Sequence, residues 1–212
     1  MIQVISFDMD GTLVNSRFVD RVWMEGMPRL YAERHGLEFS EAKELVLREY
    51  LDVGSGRLEW YDMQYWLDRF DLKEDKYSLI GRYAEEIEVF PEVESVLAEL
   101  SEGYRLVVTS NAASEFIDIE LEGLAHYFTE IFSVTSEFRR VKKSSEVYKE
   151  VCRRMGAKPL EVFHVGDHYE YDYQSPLEAG LDALFLDRTG NLQGREVVCD
   201  LREAAEHILN FT

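Results

Sequence analysis

The chain has 212 residues, with 23 Lys and Arg against 42 Asp and Glu, a formal net charge of −19. Acid in this excess is repelled by nucleic-acid phosphates and by anionic lipid, so neither surface is expected as a partner. A content of 46% hydrophobic and 13% aromatic residues rules out an acidic disordered tail and fits one domain carrying a smaller insert.

Ile2 to Phe7 is β-branched and apolar, predicting a first strand that stops at Asp8. From about 16 to 88 the pattern is helical only. Val19, Val22, Trp23, Gly26 and Leu30 share one helical spacing. Ala42, Leu45, Val46 and Glu49 share another behind a Ser40 N-cap, with Gly54-Ser55-Gly56 as a turn beyond them. Trp60, Met63, Tyr65, Trp66, Leu67 and Phe70 form an aromatic-rich helix, and Leu79, Ile80, Tyr83 and Ile87 a fourth. Pro91 opens a helix that closes near Gly103.

Four short apolar runs follow: Leu106-Val107-Val108, Ile131 to Val134, Val162 to Val165 and Ala183 to Leu186. Each reads as a strand buried on both faces. Helices beginning at Ser114, at Ser144 or Ser145 (running to Gly156) and at Asp200 (running through Leu209) lie around them. The alternation predicts an α/β fold, a doubly wound, Rossmann-like parallel sheet covered on both faces. The core then comprises 1–15 and 89–212, and a smaller α-helical domain, 16–88, is inserted in it.

Cys152 and Cys199 form no C-x-x-C pair and are expected to be free thiols of a reducing compartment. The first residues lack a signal-peptide pattern, and no run approaches 18 apolar residues. A cytoplasmic location is the expectation.

The chemistry-bearing residues fall after the strands. Asp8-Met9-Asp10-Gly11-Thr12 follows the first, where open α/β sheets bind ligands. Two carboxylates there, with Gly11 permitting a sharp turn, form a cation site and a candidate nucleophile. A calcium loop of the EF-hand type is excluded, because its twelfth position would be Val19 rather than an acid. Thr109-Ser110-Asn111 follows the second strand, where a hydroxyl and an amide suit phosphate. The basic run Arg139-Arg140-Val141-Lys142-Lys143 follows the third, and Gly166-Asp167-His168 with Asp172 follows the fourth. His35, His126, His164 and His207 show no metal-ligand spacing and read as structural, whereas His168 adjoins the acids. No Walker loop, G-x-G-x-x-G or H-E-x-x-H occurs.

On these residues the chain resembles the haloacid dehalogenase superfamily, in its phosphatase branch with a helical cap inserted after the first motif. Asp8 to Thr12 matches D-x-D-G-T. Ser110 matches the second motif's hydroxyl, and Gly166, Asp167 and Asp172 match G-D-x-x-x-x-D. The third motif, K-P-x-P-E-x-[FY], aligns on Lys142-Lys143-Ser144-Ser145-Glu146-Val147-Tyr148 with Lys142 in the lysine place, but both prolines are missing and Lys143 stays an alternative.

The resemblance implies Mg²⁺-dependent hydrolysis of a small phosphorylated metabolite through an aspartyl-phosphate. It implies Asp8 as nucleophile and Asp10 as acid and base. Lys142, Ser110, Gly11 and Asn111 would stand around the phosphoryl group, and Asp8, Asp10 (by its carbonyl), Asp167 and Asp172 around the metal. Dehalogenases of the superfamily lack the second aspartate, so Asp10 favours phosphoryl chemistry. A phosphomutase or a non-catalytic binding protein are the alternatives. Arg17, Arg21, Tyr50, Arg57, Trp60 and Tyr61 are candidates for setting specificity.

Overall fold

A computed structural model describes residues 1–210. Six parallel strands form one sheet: β1 (Val4–Phe7), β2 (Arg105–Ser110), β3 (Phe128–Ser133), β4 (Val162–Gly166), β5 (Asp182–Leu186) and β6 (Val197–Val198). Their order is β3-β2-β1-β4-β5-β6. The winding direction reverses beside β1, the place where a doubly wound sheet leaves a crevice beyond its strand ends.

Alternate residues of each strand serve opposite layers. Ile5, Phe7, Leu106, Val108, Phe163 and Val165 share one apolar core. Helices α6 (Val93–Ser101) and α10 (Leu201–Leu209) cover it through Val96, Leu100, Ala205 and Ile208. Val4, Val107 and Val162 face the other way, under Tyr148, Val151 and Met155 of α8 (Ser145–Met155). α9 (Ser175–Ala179) lies beside α8 and leads into β5. The central strands β1, β2 and β4 are therefore buried on both sides, as their sequences predict, while the edge strand β3 exposes Thr129 and Glu130.

Between β1 and α6 the chain is helical: α1 (Arg17–Arg21), α2 (Met27–His35), α3 (Phe39–Val53), α4 (Met63–Arg69) and α5 (Lys76–Gly81). α1 and α2 are joined through a π-helical turn, Val22–Gly26. α3 starts at Phe39 after Glu38, not behind the expected Ser40 cap: no side chain caps it, and Ser40 sits inside the first turn. Trp66, Val46, Met27 and Leu67 build a core of their own. Ala113 and Phe116, at the start of α7 (Ser114–Glu120), belong to that same cluster, so the helical segment rests on the loop and helix that follow β2.

The two crossings between the segments run side by side. Val14 and Val89 form an antiparallel bridge. Phe90 N–H donates to the Leu13 carbonyl (3.2 Å) and Asn15 N–H to that of Glu88 (3.0 Å). Arg188, just past β5, donates to the Gly11 and Thr12 carbonyls (3.1 and 2.6 Å), pairs with Glu92 (2.8 Å) and lies 3.6 Å from the centre of the Phe90 ring. Among the described residues no helix is long and apolar enough to cross a membrane.

Candidate active site

The turn after β1 is built on one carbonyl: Met9 O accepts from Thr12 (3.1 Å) and Leu13 (2.8 Å). Gly11 bends it back at φ +80°, a left-handed conformation that side chains resist. A Cβ at Gly11 would collide with the Asp167 carboxylate. At the end of β4 a Cβ on Gly166 would stand 2.5 Å from Cγ of Asp172. Two glycines therefore let two carboxylates close on Asp8. Oxygens of Asp8, Asp167 and Asp172 lie within 4.8 Å of one another. The Gly11 N–H, proposed from sequence as a phosphate donor, is already committed to the Val14 carbonyl (2.7 Å), so what Gly11 provides here is room.

The cation inside this cluster is Lys143. Its Nζ stands 2.5 Å from Asp8 Oδ1 and 2.5 Å from Asp172 Oδ1, and the residue is 2% exposed. Of the two lysines that the sequence left open, the one brought among the carboxylates is Lys143, not Lys142. Lys142 points to solvent, 3.7 Å from Glu170 and over the Tyr171 ring. Glu146 and Tyr148 keep the motif's spacing from Lys142, and both motif prolines are absent. Ser144, which donates its N–H to the Lys142 carbonyl, precedes α8, and the lysine directly before it turns inward. Burial alone would depress the Lys143 ammonium, but the charges of Asp172 and Asp8 raise it above the ordinary lysine value.

Asp172 holds that lysine. Burial alone would raise its carboxyl, but Lys143 and then His164 pull it well below the usual carboxylate range. Its Oδ2 accepts from the His168 N–H (2.9 Å), and Oδ1 meets His164 Nε2 at 3.1 Å. A π-helical turn, Tyr169–Gln174, brings it there. Behind it a buried polar chain crosses the sheet on the α8 side. His164 Nδ1 contacts Ser6 Oγ (2.9 Å), which contacts Thr109 Oγ1 (3.0 Å), while Tyr148 OH meets His164 Nε2 (3.0 Å). His164 is structural, as its place in a strand suggests, and it buttresses an acid of the site. Thr109 and Tyr148 stand within motifs named from the sequence but without this role, and Ser6 has no motif; polar residues at inward strand and helix positions are the only signal of the chain.

Asp10 follows Asp8 with a different environment. Burial, and then repulsion from Asp8, push its carboxyl up to about 7. It faces Glu120 on α7, a buried residue that the sequence reading passed over. Burial and the adjacent Asp10 raise Glu120 to about 10. Asp10 Oδ1 and both Glu120 oxygens are buried with no hydrogen-bond donor, a setting that favours the protonated carboxyls. Glu120 could be suspected only as an acid on the otherwise apolar inner side of α7. Ser110 Oγ, at the end of β2, accepts from the Ala112 N–H (3.0 Å), and Oδ1 of Asn111 is buried without a donor.

Partial desolvation and the neighbouring Asp8 push the solvent-exposed Asp167 up to about 8, and burial raises Asp8 despite Lys143. One ammonium thus faces four crowded carboxyls. That excess, and a donor set made only of oxygens, fit a hard divalent cation.

Other residues raised by the sequence lie elsewhere. His168 accepts from the Tyr171 N–H (3.3 Å) and stacks on that ring, a local cap. Arg17 approaches Glu88 (3.9 Å), Arg21 pairs with Glu86 (3.3 Å), and Arg57 pairs with Glu59 (2.6 Å). Tyr50, Trp60 and Tyr61 do line a cavity, together with Asp10, Asn111 and Phe116.

A Rossmann-ordered sheet with a buried aspartate–lysine cluster at its carboxyl edge defines a class of α/β proteins in which a carboxylate can act as nucleophile beside a cation. A family model described as haloacid dehalogenase-like hydrolase matches residues 2–180, and the chain belongs to that family. It is 28% identical over 210 residues to the glyceraldehyde 3-phosphate phosphatase of Methanopyrus kandleri, covering 92% of this chain and 88% of that one. To the GMP/IMP nucleotidase YrfG of Escherichia coli it is 24% identical over 170 residues, 78% and 74% of the two chains. A solved HAD phosphatase from Thermococcus onnurineus superposes with a TM-score of 0.81 at 25% identity, over 99% of this chain and 98% of the other. A 2-haloacid dehalogenase from Pseudomonas syringae shares the fold at 20% identity, with a TM-score of 0.74 over the full length of both chains. The chain is accordingly a hydrolase of the phosphatase type.

Proposed function

We propose that this protein hydrolyses a small phosphorylated metabolite with Mg²⁺, through a phosphorylated Asp8. The observation that carries the reading is the Lys143 ammonium, 2.5 Å from both Asp8 and Asp172 inside a carboxylate cluster that still has charge to neutralise.

A carboxylate oxygen of Asp8 attacks phosphorus while the ester P–O bond breaks. The bonding pair leaves on the alcohol oxygen, which takes the proton from Asp10. A carboxyl at about 7 is matched to giving and recovering a proton near neutrality. Water then attacks phosphorus, Asp10 accepts its proton, and the Asp8–phosphorus bond breaks to release inorganic phosphate. Lys143 and the Ser110 hydroxyl hold phosphoryl oxygens throughout. Asp8, Asp167 and the Asp10 carbonyl would hold the metal, which when bound offsets the repulsion between carboxylate and phosphate. Asp172 has both oxygens engaged by protein donors, so its part is to position Lys143. The helical segment 16–88 acts as a cap that excludes water and selects the alcohol.

The test is a screen of phosphorylated metabolites with Mg²⁺, with Asp8→Asn as the blank. Phosphate release by the wild type alone, and a trapped hydroxylamine-labile phosphoryl group on the wild-type chain, are expected. Appreciable turnover by Asp8→Asn would overturn the nucleophile assignment. Asp10→Asn should slow both half-reactions, and transfer to a second sugar in place of phosphate release would mark a mutase.

A further inference from the structure

A cavity of about 240 Å³ opens between the helical segment and the core, and Asp10 lines it. Under the reading above, Asp10 protonates the departing alcohol, so this cavity is where that alcohol sits. Its composition restricts what the alcohol can be. Trp23 and Phe116 stack at 5.7 Å and 20°, and Tyr50 meets Trp23 and Trp60 edge-on at 5.8 and 5.9 Å. These rings hold one another in place and present a fixed aromatic wall. Tyr50 is fastened further, its hydroxyl donating to the Trp23 carbonyl (3.3 Å).

The charges lining the cavity are acidic. Asp20 joins Asp10 there, and no Lys, Arg or His does. The arginines of α1 and of the Gly54–Leu58 turn, at hand in sequence, are paired with Glu86, Glu88 and Glu59. A second acid group on the substrate would face the Asp20 carboxylate, with no cation in the cavity lining to meet it. The buried, donor-less Asn111 Oδ1 and the Asp20 carboxylate accept hydrogen bonds, so an N–H or O–H on the ligand is welcome where an acid is not.

We propose, resting on the phosphatase reading, that the substrate is a phosphate monoester of an uncharged alcohol carrying a flat ring that lies against the Trp23–Phe116 wall and offers N–H or O–H donors, and that esters bearing a second acid group are rejected. Aromatic rings, as in a nucleoside, and the apolar face of a sugar ring share this chemistry.

The experiment compares kcat/KM with Mg²⁺ for a nucleoside 5′-monophosphate, a hexose phosphate, glyceraldehyde 3-phosphate and phosphoglycolate. Wild type and Asp8→Asn run in parallel. Hydrolysis of any of the four by wild type alone upholds the phosphatase reading whatever the ranking. The expected ranking puts a ring-bearing ester about tenfold or more above glyceraldehyde 3-phosphate, a typical worth for one stacking contact. Phosphoglycolate should come last, and the two ring esters separate aromatic from sugar recognition. Trp23→Ala should raise KM for the ring esters about tenfold more than for glyceraldehyde 3-phosphate, and Trp23→Phe should keep most of the affinity. Asp20→Asn should improve phosphoglycolate relative to the rest. Phosphoglycolate equal to or better than the ring esters, or a Trp23→Ala effect equal on all four, would overturn the proposal.

Discussion

The two adjacent lysines have opposite surroundings, and that difference sets a sharp test. Removing Lys143 leaves Asp8 and Asp172 buried with no counter-charge, so Lys143→Ala should lower kcat at least about a hundredfold, the usual cost of losing one preorganised donor. Lys142→Ala, altering a solvent-facing contact with Glu170, should stay within about threefold in the same assay. Glu120 sets a second test. Its carboxyl is ordinarily near 4.5 and sits at about 10 in the fold, so folding takes up a proton between those values. Stability contributed by the neutral carboxyl is complete below the lower value and is lost as pH rises towards the upper one. Glu120→Gln removes that dependence. In chelated protein its melting temperature should exceed that of wild type by a margin that widens from about pH 6 to about pH 9, followed by circular dichroism; a constant margin would mean that Glu120 is ionised in the fold. Asp8 and Asp167 directly follow strands, Ser110 ends one and Asp10 lies in the turn beyond β1, and that placement at strand ends is what made them candidates in the sequence. Lys143 was not separable from its neighbour, and Glu120 was not legible, because burial decides both and a local pattern does not report it.

At the scale of elements, short apolar runs carried the alternation of strands and helices, since the central strands β1, β2 and β4 are buried on both faces. They missed the two-residue β6, too short to show a pattern, and both π-helical turns, which have no period of their own. The turn at Tyr169–Gln174 matters most, because it aims Asp172 at Lys143. The aromatic stripe read from Trp60 to Phe70 is the interior of the helical segment. Trp66 is fully buried there, with its ring against Tyr50 (4.6 Å), Tyr65 (5.1 Å) and Phe70 (5.5 Å). Trp66→Ala should cost about 3–5 kcal/mol, measured by denaturant unfolding. The larger loss should fall on residues 16–88 in hydrogen exchange, with the sheet protected. Equal loss of protection in β1 and β4 would mean that the segment and the sheet unfold as one.

For the whole molecule, the charge of −19 is compatible with an anionic substrate because the opposing charge is local. One buried ammonium, and a cation held by Asp8 and Asp167, would invert the sign at the sheet's edge alone. Mg²⁺ at a hundred times its Kd should therefore stabilise the fold by about 2.7 kcal/mol, seen as a rise in Tm of several degrees. EDTA should reverse the rise and the activity together. Asp167→Asn should abolish the shift, and an unchanged shift would place the ion elsewhere. The paired crossings have a separate consequence. The chain leaves the sheet at Asn15 and comes back at Glu88 within one hydrogen bond of its point of departure. To the sheet, everything in between is a loop closed at its neck, so its length can change without altering strand order or register. Such a neck is a natural graft point: exchanging residues 16–87 for the corresponding segment of a relative would transplant one chain's choice of alcohol onto another's phosphoryl chemistry, with Arg188 still clamping the base of the graft.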